Sequence, residues 1–344
     1  MKKTIKWGII GCGDVTEVKS GPAFYKLDNS ELVTVMRRNA NLAEDFAKRH
    51  NVPKWYSDAN SLINDKDIDA VYIATPPSTH KEYTILTAKA GKAIYVEKPM
   101  ALTFEECNEM IAICKSQNVP LFVAYYRRAL PRFLKIKELI ESGAIGTPRI
   151  VSCILYREIE QCYQDPHHLP WVVNPEISGG GLFVDLACHT LDILDFLLGK
   201  IISVKGHANS QGNAYPAEDC VSMSFMFENN IQGVGIWNFV SNSRRDNVEI
   251  IGTKGKISFS TFGNSAISYY DENNKLHQFN IDNPKHIEMP LINTIINELQ
   301  GKGFCPSTGE SGSRTSWVID QVLKDYRMNN YLQYKNEQIC FRGK

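Results

Sequence analysis

The sequence predicts an α/β domain with a doubly wound parallel sheet, followed by an α+β domain with an open-faced, mainly antiparallel sheet and flanking helices. Three observations predict it. Apolar runs alternate with amphipathic stretches through the first third of the chain, the pattern of parallel strands joined by helices. A glycine cluster, Gly8, Gly11 and Gly13, closes the first apolar run. After Pro148 the apolar runs are divided by turns such as "ENN" and "GTKG", which fits an antiparallel meander.

The elements follow in order. "KTIKWGIIG" is the first strand, and "EVKSGPAFYKL" the helix after its glycine turn. Glu31 to Met36 is a second strand and "NANLAEDFAKRH" a helix. "AVYIATPP" and "AIYVEKP" are strands, each followed by a helix, "STHKEYTILTAKAGK" and "TFEECNEMIAICKSQN". "VPLFVAYY" closes the first domain, expected over residues 1–124, with a substrate-binding and oligomerisation domain over 125–344. In that second domain "PRIVSCILY" is a strand and "GGGLFVDLACHTLDILDFLLGK" a helix ending at Gly199. Five further runs, from "ISVKGHANS" to "AISYYDENNKLHQFNI", supply strands. "EMPLINTIINELQGK" and "SWVIDQVLKDYRMNNY" are closing helices, and segments of the second half are expected to pack back on the first domain.

Composition narrows the function classes. Lys plus Arg and Asp plus Glu are 38 each, so net charge gives no reason to expect nucleic acid or an anionic membrane as partner. No apolar run approaches a membrane span. The nine cysteines are scattered without a CxxC pair, which suits reduced thiols and a cytoplasmic location.

Strand, glycine turn and helix form a dinucleotide-binding opening, with pyrophosphate expected over the turn at the helix N-terminus. Thr16 stands where the third glycine of G-x-G-x-x-G would fall. At the end of the second strand, where a carboxylate reads ribose hydroxyls in NAD sites, the chain has Met36-Arg37-Arg38. A guanidinium holds a 2′-phosphate where a carboxylate would repel it. NADP is therefore the expected cofactor and NAD the alternative.

Two constellations carry chemistry. "AIYVEKPMAL" ends a buried strand in Glu97, Lys98 and Pro99. Ligands of open α/β sheets bind beyond the carboxyl ends of strands, so Lys98 is placed to meet a substrate. The plainer reading is a surface turn started by Pro99. On the later helix, Asp185, His189 and Asp192 share one face at spacings of four and three. Here the plainer reading is an amphipathic helix with a solvated polar face. A metal site from Asp185, His189 and Asp192 is thin, and none is expected. His167 and His168 read as loop residues at the substrate mouth.

Taken together, "GIIGCG", "VYIATPPSTHKEY", "AGKAIYVEKPMALT", "GAIG" and "GGGLFVDLACHTLDIL" resemble the Gfo/Idh/MocA oxidoreductases over nearly the whole chain, nearest to the 1,5-anhydrofructose reductase type. The resemblance implies a Rossmann domain followed by a substrate domain whose open sheet makes a homodimer or homotetramer. It implies hydride transfer between nicotinamide and a sugar, polyol or related hydroxyl or ketone compound. The family's reactive lysine falls on Lys98, often before a cis peptide to Pro99, and its substrate-side Asp and His fall on Asp185 and His189. The expected cofactor contacts are Gly11, Cys12, Gly13, Asp14, Val15, Arg37, Arg38, Thr75, Pro76, His80, Glu97, Lys98, Arg128 and Trp171. Arg128 lies in "AYYRRALPRF", which resembles the interdomain hinge. Of the family's Trp-Arg pair, Trp171 is kept and Val172 replaces the arginine. His189 suits general acid–base work because an imidazole titrates near neutrality. Lys98 would bond the reacting oxygen. Asp185 would orient the substrate. Lys98 and His189 could exchange roles. A non-catalytic NAD(P)-binding sensor of the same fold is the alternative function.

Overall fold

The computed structural model describes residues 4–163, 165 and 167–341, with side chains as far as residue 330. The chain forms two compact units. The first runs to Glu138 and takes back Ile281–Ser316; the second is Leu139–Asn280 with the chain from Trp317 on.

In the first unit β1 (Ile5–Ile10), β2 (Ser30–Met36), β3 (Lys54–Tyr56), β4 (Ala70–Ile73), β5 (Ala93–Val96) and β6 (Leu121–Val123) form one sheet in the order β3-β2-β1-β4-β5-β6. Every pairing in it is parallel. β4 and β5 are buried at each residue, as strands covered on both faces must be. Helices Ala40–Arg49 and Phe104–Ser116 start where Asn39 and Thr103 side chains accept the N–H of Leu42 and Glu106. The strand order reverses between β1 and β4, which opens a crevice at their carboxyl ends.

Three elements of this unit differ from expectation. The helix expected over "EVKSGPAFYKL" is two short helices, Asp14–Val18 and Ala23–Lys26. Pro22, with no N–H to give, stands between them. β3 and the helix Ala59–Ile63 have no counterpart in the reading of the sequence. A three-residue edge strand is too short to show periodicity.

The second unit holds β7 (Pro148–Tyr156), β8 (Ile201–Asn209), β9 (Cys220–Phe227), β10 (Gln232–Asn238), β11 (Arg245–Gly252), β12 (Lys256–Phe259), β13 (Ile267–Tyr270) and β14 (Leu276–Phe279). They form one sheet in the order β14-β13-β12-β11-β7-β10-β9-β8. It is mainly antiparallel, but β7 and β10 pair in parallel at its centre. The alternation in β10 separates two faces: Val234 and Ile236 are exposed, whereas Trp237 is buried. On the buried face Trp237 meets Phe183 of the helix Leu182–Leu198 edge-on, with centroids 5.3 Å apart. Among the described residues no helix is long and apolar enough to cross a membrane.

Candidate active site

The glycine turn follows β1 directly. Gly11 has φ +91, and a Cβ there would lie 2.8 Å from the carbonyl oxygen of Ala74, so the turn closes against the end of β4 only with glycine. The N–H groups of Gly11 and Cys12 both donate to Met36 O, at 2.8 and 3.1 Å, and fasten the turn to the end of β2. A Cβ on Gly13 would meet nothing nearer than 3.9 Å, so the space over the turn is open. Asp14 is exposed and Val15 half-buried at the start of the short helix. Thr16, at the third glycine position, is buried, and its hydroxyl donates to Gly13 O at 2.7 Å. Cys12 is fully buried, and burial pushes its thiol up to about 11, with Arg37 the largest opposing charge. Arg37 is half-buried and Arg38 exposed just after β2.

Lys98 stands two residues beyond β5, and its peptide to Pro99 is cis. Glu97 is buried; it accepts the Tyr72 hydroxyl and the Lys98 N–H, the latter at 3.1 Å. Burial raises the Glu97 carboxyl, and the Tyr72 hydrogen bond and the Lys98 charge oppose that rise. His80 ties this turn to the end of β4. Its Nε2 lies 2.7 Å from Thr75 O and its Nδ1 3.0 Å from Pro99 O. It is fully buried, and desolvation lowers its pKa against the pull of those carbonyls. Thr75 and Pro76 are half-buried at the same strand end. Arg128 is buried in the 3-10 turn Tyr126–Ala129 and donates to Pro306 O at 3.1 Å.

In the second unit Gly181 starts the helix Leu182–Leu198, and its N–H donates to Glu218 Oε1 at 2.9 Å. A Cβ on Gly181 would come within 2.7 Å of Glu218 O, so the helix start seats directly on that backbone. Glu218 is buried, and desolvation raises its carboxyl. The polar face of this helix is not solvated: His189 is 5% exposed and Asp192 1%. The His189 ring meets Phe262 edge-on at 5.9 Å, and Arg157 covers the Phe262 ring at 5.4 Å. Thr190 bonds Thr261 at 3.2 Å, which holds the loop carrying Phe262 against the helix. Asp185 is half-buried and its charge reaches Tyr163, whose hydroxyl is raised to about 12, chiefly by burial. Trp171 is 47% exposed in the turn Trp171–Val173.

Reading the sequence missed Phe262, Arg157 and Tyr163. Each lies in a loop or at a strand end far from Asp185 and His189 in sequence, where no spacing rule applies. His167 and His168 are exposed, and His168 Nδ1 lies 2.8 Å from Asp165. Among the described residues no group of three His, Cys, Asp or Glu is arranged to hold a metal ion.

The parallel sheet, the glycine turn and the Lys98 turn define a nicotinamide-dependent oxidoreductase, and comparison with known proteins agrees. Residues 5–125 match the model of the oxidoreductase family with NAD-binding Rossmann fold, and residues 133–258 match the Gfo/Idh/MocA C-terminal domain. Oxidoreductase P35 of Formosa agariphila is 40% identical over 324 residues, 93% of this chain and 98% of that protein. The 1,5-anhydro-D-fructose reductase of Ensifer adhaerens is 26% identical over 73% of this chain and 74% of its own. The crystal structure of aldose-aldose oxidoreductase from Caulobacter crescentus complexed with glycerol superposes with a TM-score of 0.84, at 21% identity, over 95% of this chain and 98% of that one. The chain belongs to the Gfo/Idh/MocA family of NAD(P)-dependent oxidoreductases.

Proposed function

We propose that this protein is an NADP-dependent dehydrogenase or reductase acting on a sugar, polyol or related hydroxyl or ketone compound. The observation that carries the reading is the Lys98 turn at the end of β5, fastened through His80 to the end of β4 beside the glycine turn. The similarity to a 1,5-anhydro-D-fructose reductase supports the substrate class. The first unit then binds cofactor and the second binds substrate.

The residues fit a dinucleotide, because the space over Gly13 is open and the turn is fastened to the ends of β2 and β4. Gly11 to Val15, Thr75, Pro76 and Trp171 would contact it, and Arg37 and Arg38 would hold a 2′-phosphate. Bound there, the nicotinamide supplies or accepts the hydride. Lys98 donates a hydrogen bond to the reacting oxygen and stabilises its developing charge. His189 exchanges the proton on that oxygen, and Asp185 orients the substrate. Glu97 and His80 are buried and act by holding Lys98 and Thr75 in place.

A second copy of the chain covers the open face of the large sheet, a reading supported by its exposed Ile150, Ile202, Val234, Ile236 and Ile251. The cytoplasm is the proposed location, supported by cysteines that form no disulfide among the described residues.

Paired titrations of NADP and NAD test the cofactor. Replacing Arg37 and Arg38 with Ala is expected to weaken NADP binding about ten- to hundredfold, the worth of a charge-assisted phosphate pair, and to leave NAD nearly unchanged. Equal losses for both cofactors would remove the NADP assignment and leave the oxidoreductase. Tight NADP binding without turnover on a broad sugar and polyol panel would favour a sensor instead.

A further inference from the structure

Behind Lys98 the first unit buries a second carboxyl that these roles do not use. Glu288 caps the helix Met289–Leu299, in the segment that returns to the first unit, and is 1% exposed. Its N–H donates to Lys19 O at 3.3 Å, and its Oε2 accepts from the Tyr95 hydroxyl at 3.0 Å. Tyr95 is the strand partner of Tyr72, and the two rings stack with centroids 4.8 Å apart and planes 21° apart. Tyr72 in turn donates to Glu97. The neighbouring tyrosines of β4 and β5 thus each bond a glutamate, all four residues buried, and one pair ends on the neighbour of Lys98. The charged and titratable groups that interact with this cluster are Lys98, Lys19, Tyr126 and Cys305.

We infer that Glu288 is a positioning residue for Lys98: it carries a proton, so that Glu97 alone holds negative charge behind the lysine. Two carboxylates in one dry cluster repel, and one of them keeps its proton. Glu97 is the better place for the charge, because it receives both the Tyr72 hydroxyl and the Lys98 N–H. Burial pushes the Glu288 carboxyl well above its usual range, and the Glu97 charge pushes it further. Ionising Glu288 would add a second negative charge and draw the Lys98 ammonium back from the reacting oxygen. The inference rests on the proposed role of Lys98.

The test compares wild type with Glu288→Gln, whose amide mimics the protonated acid. A carboxyl raised in the folded state makes stability fall as pH rises above its unfolded value, here 4.5. The unfolding constant of wild type relative to Glu288→Gln should therefore climb by about tenfold per pH unit from there until Glu288 ionises in the folded protein. The infrared carbonyl band of a protonated carboxylic acid should be present in wild type at neutral pH and be lost in the variant. In turnover, the wild-type pH–rate profile should contain an alkaline ionisation that Glu288→Gln removes and Glu288→Asp keeps. Parallel stability curves with no change in the infrared band would overturn the shared proton. An unchanged rate profile would overturn the positioning role. If Glu288→Gln does not fold, Tyr95→Phe removes the hydroxyl that favours the ionised acid, and the fall in stability should extend to higher pH. Complete absence of turnover in wild type would refute the proposed function, and the positioning role with it, while the stability and infrared measurements still decide the proton.

Discussion

The Lys98 turn and the Asp185–His189 helix present their chemistry in opposite ways. Lys98 stands on a strand end, and main-chain carbonyls at Thr75 and Pro99, bridged by His80, hold its turn. His189 lies within a helix, and its surroundings are made by side chains from distant loops, Phe262 and Arg157 among them. The first region is built mostly from backbone that sheet register dictates. The second depends on packing that only a closed tertiary structure provides. A substitution in the first should leave its frame standing, whereas one in the second should disturb neighbours as well.

The sharpest test of that contrast is Lys98→Met. It should lower kcat by about a hundredfold or more, the scale of a positioned proton-transfer group, with much less change in cofactor affinity. Near-normal turnover in the folded variant would take the lysine out of the chemistry. His189→Asn should cost about a hundredfold and also remove one ionisation from the pH–rate profile. A lost rate with an unchanged profile shape would mean that His189 only positions substrate, and would move the proton to Lys98.

A smaller effect separates a carboxyl of each unit by sign. Glu17 pairs with Arg49 at 2.7 Å, and that hydrogen bond holds its carboxyl down to about 2. A depressed carboxyl contributes stability above its unfolded value that is lost as pH falls toward the folded one. Glu17→Gln should therefore be less stable than wild type above pH 4.5 and converge with it near pH 2, with a half-exposed pair worth under about 1 kcal/mol. Glu218 is raised by burial, so the opposite holds: Glu218→Gln should gain on wild type as pH rises above 4.5. Thermal melts across that range check both; slopes of the same sign would remove the contrast.

Local chemistry in the sequence was enough for much of this. Period, glycine placement and strand-end residues disclosed the parallel sheet, the turn at Gly11 and Lys98 at the end of β5, because backbone conformation and sheet rules act over a few residues. Gly199, read as a helix stop, closes the helix with φ +97. What lies far apart in the chain was not legible. Spacing put Asp185, His189 and Asp192 on one helix face but left open whether that face meets solvent, and the loop of Phe262 closes over it. Nothing near Glu288 marks it as the neighbour of Tyr95, 193 residues away. Burial and pairing of that kind arise when separate segments exclude water from one another, and a sequence pattern carries no record of which segments those are.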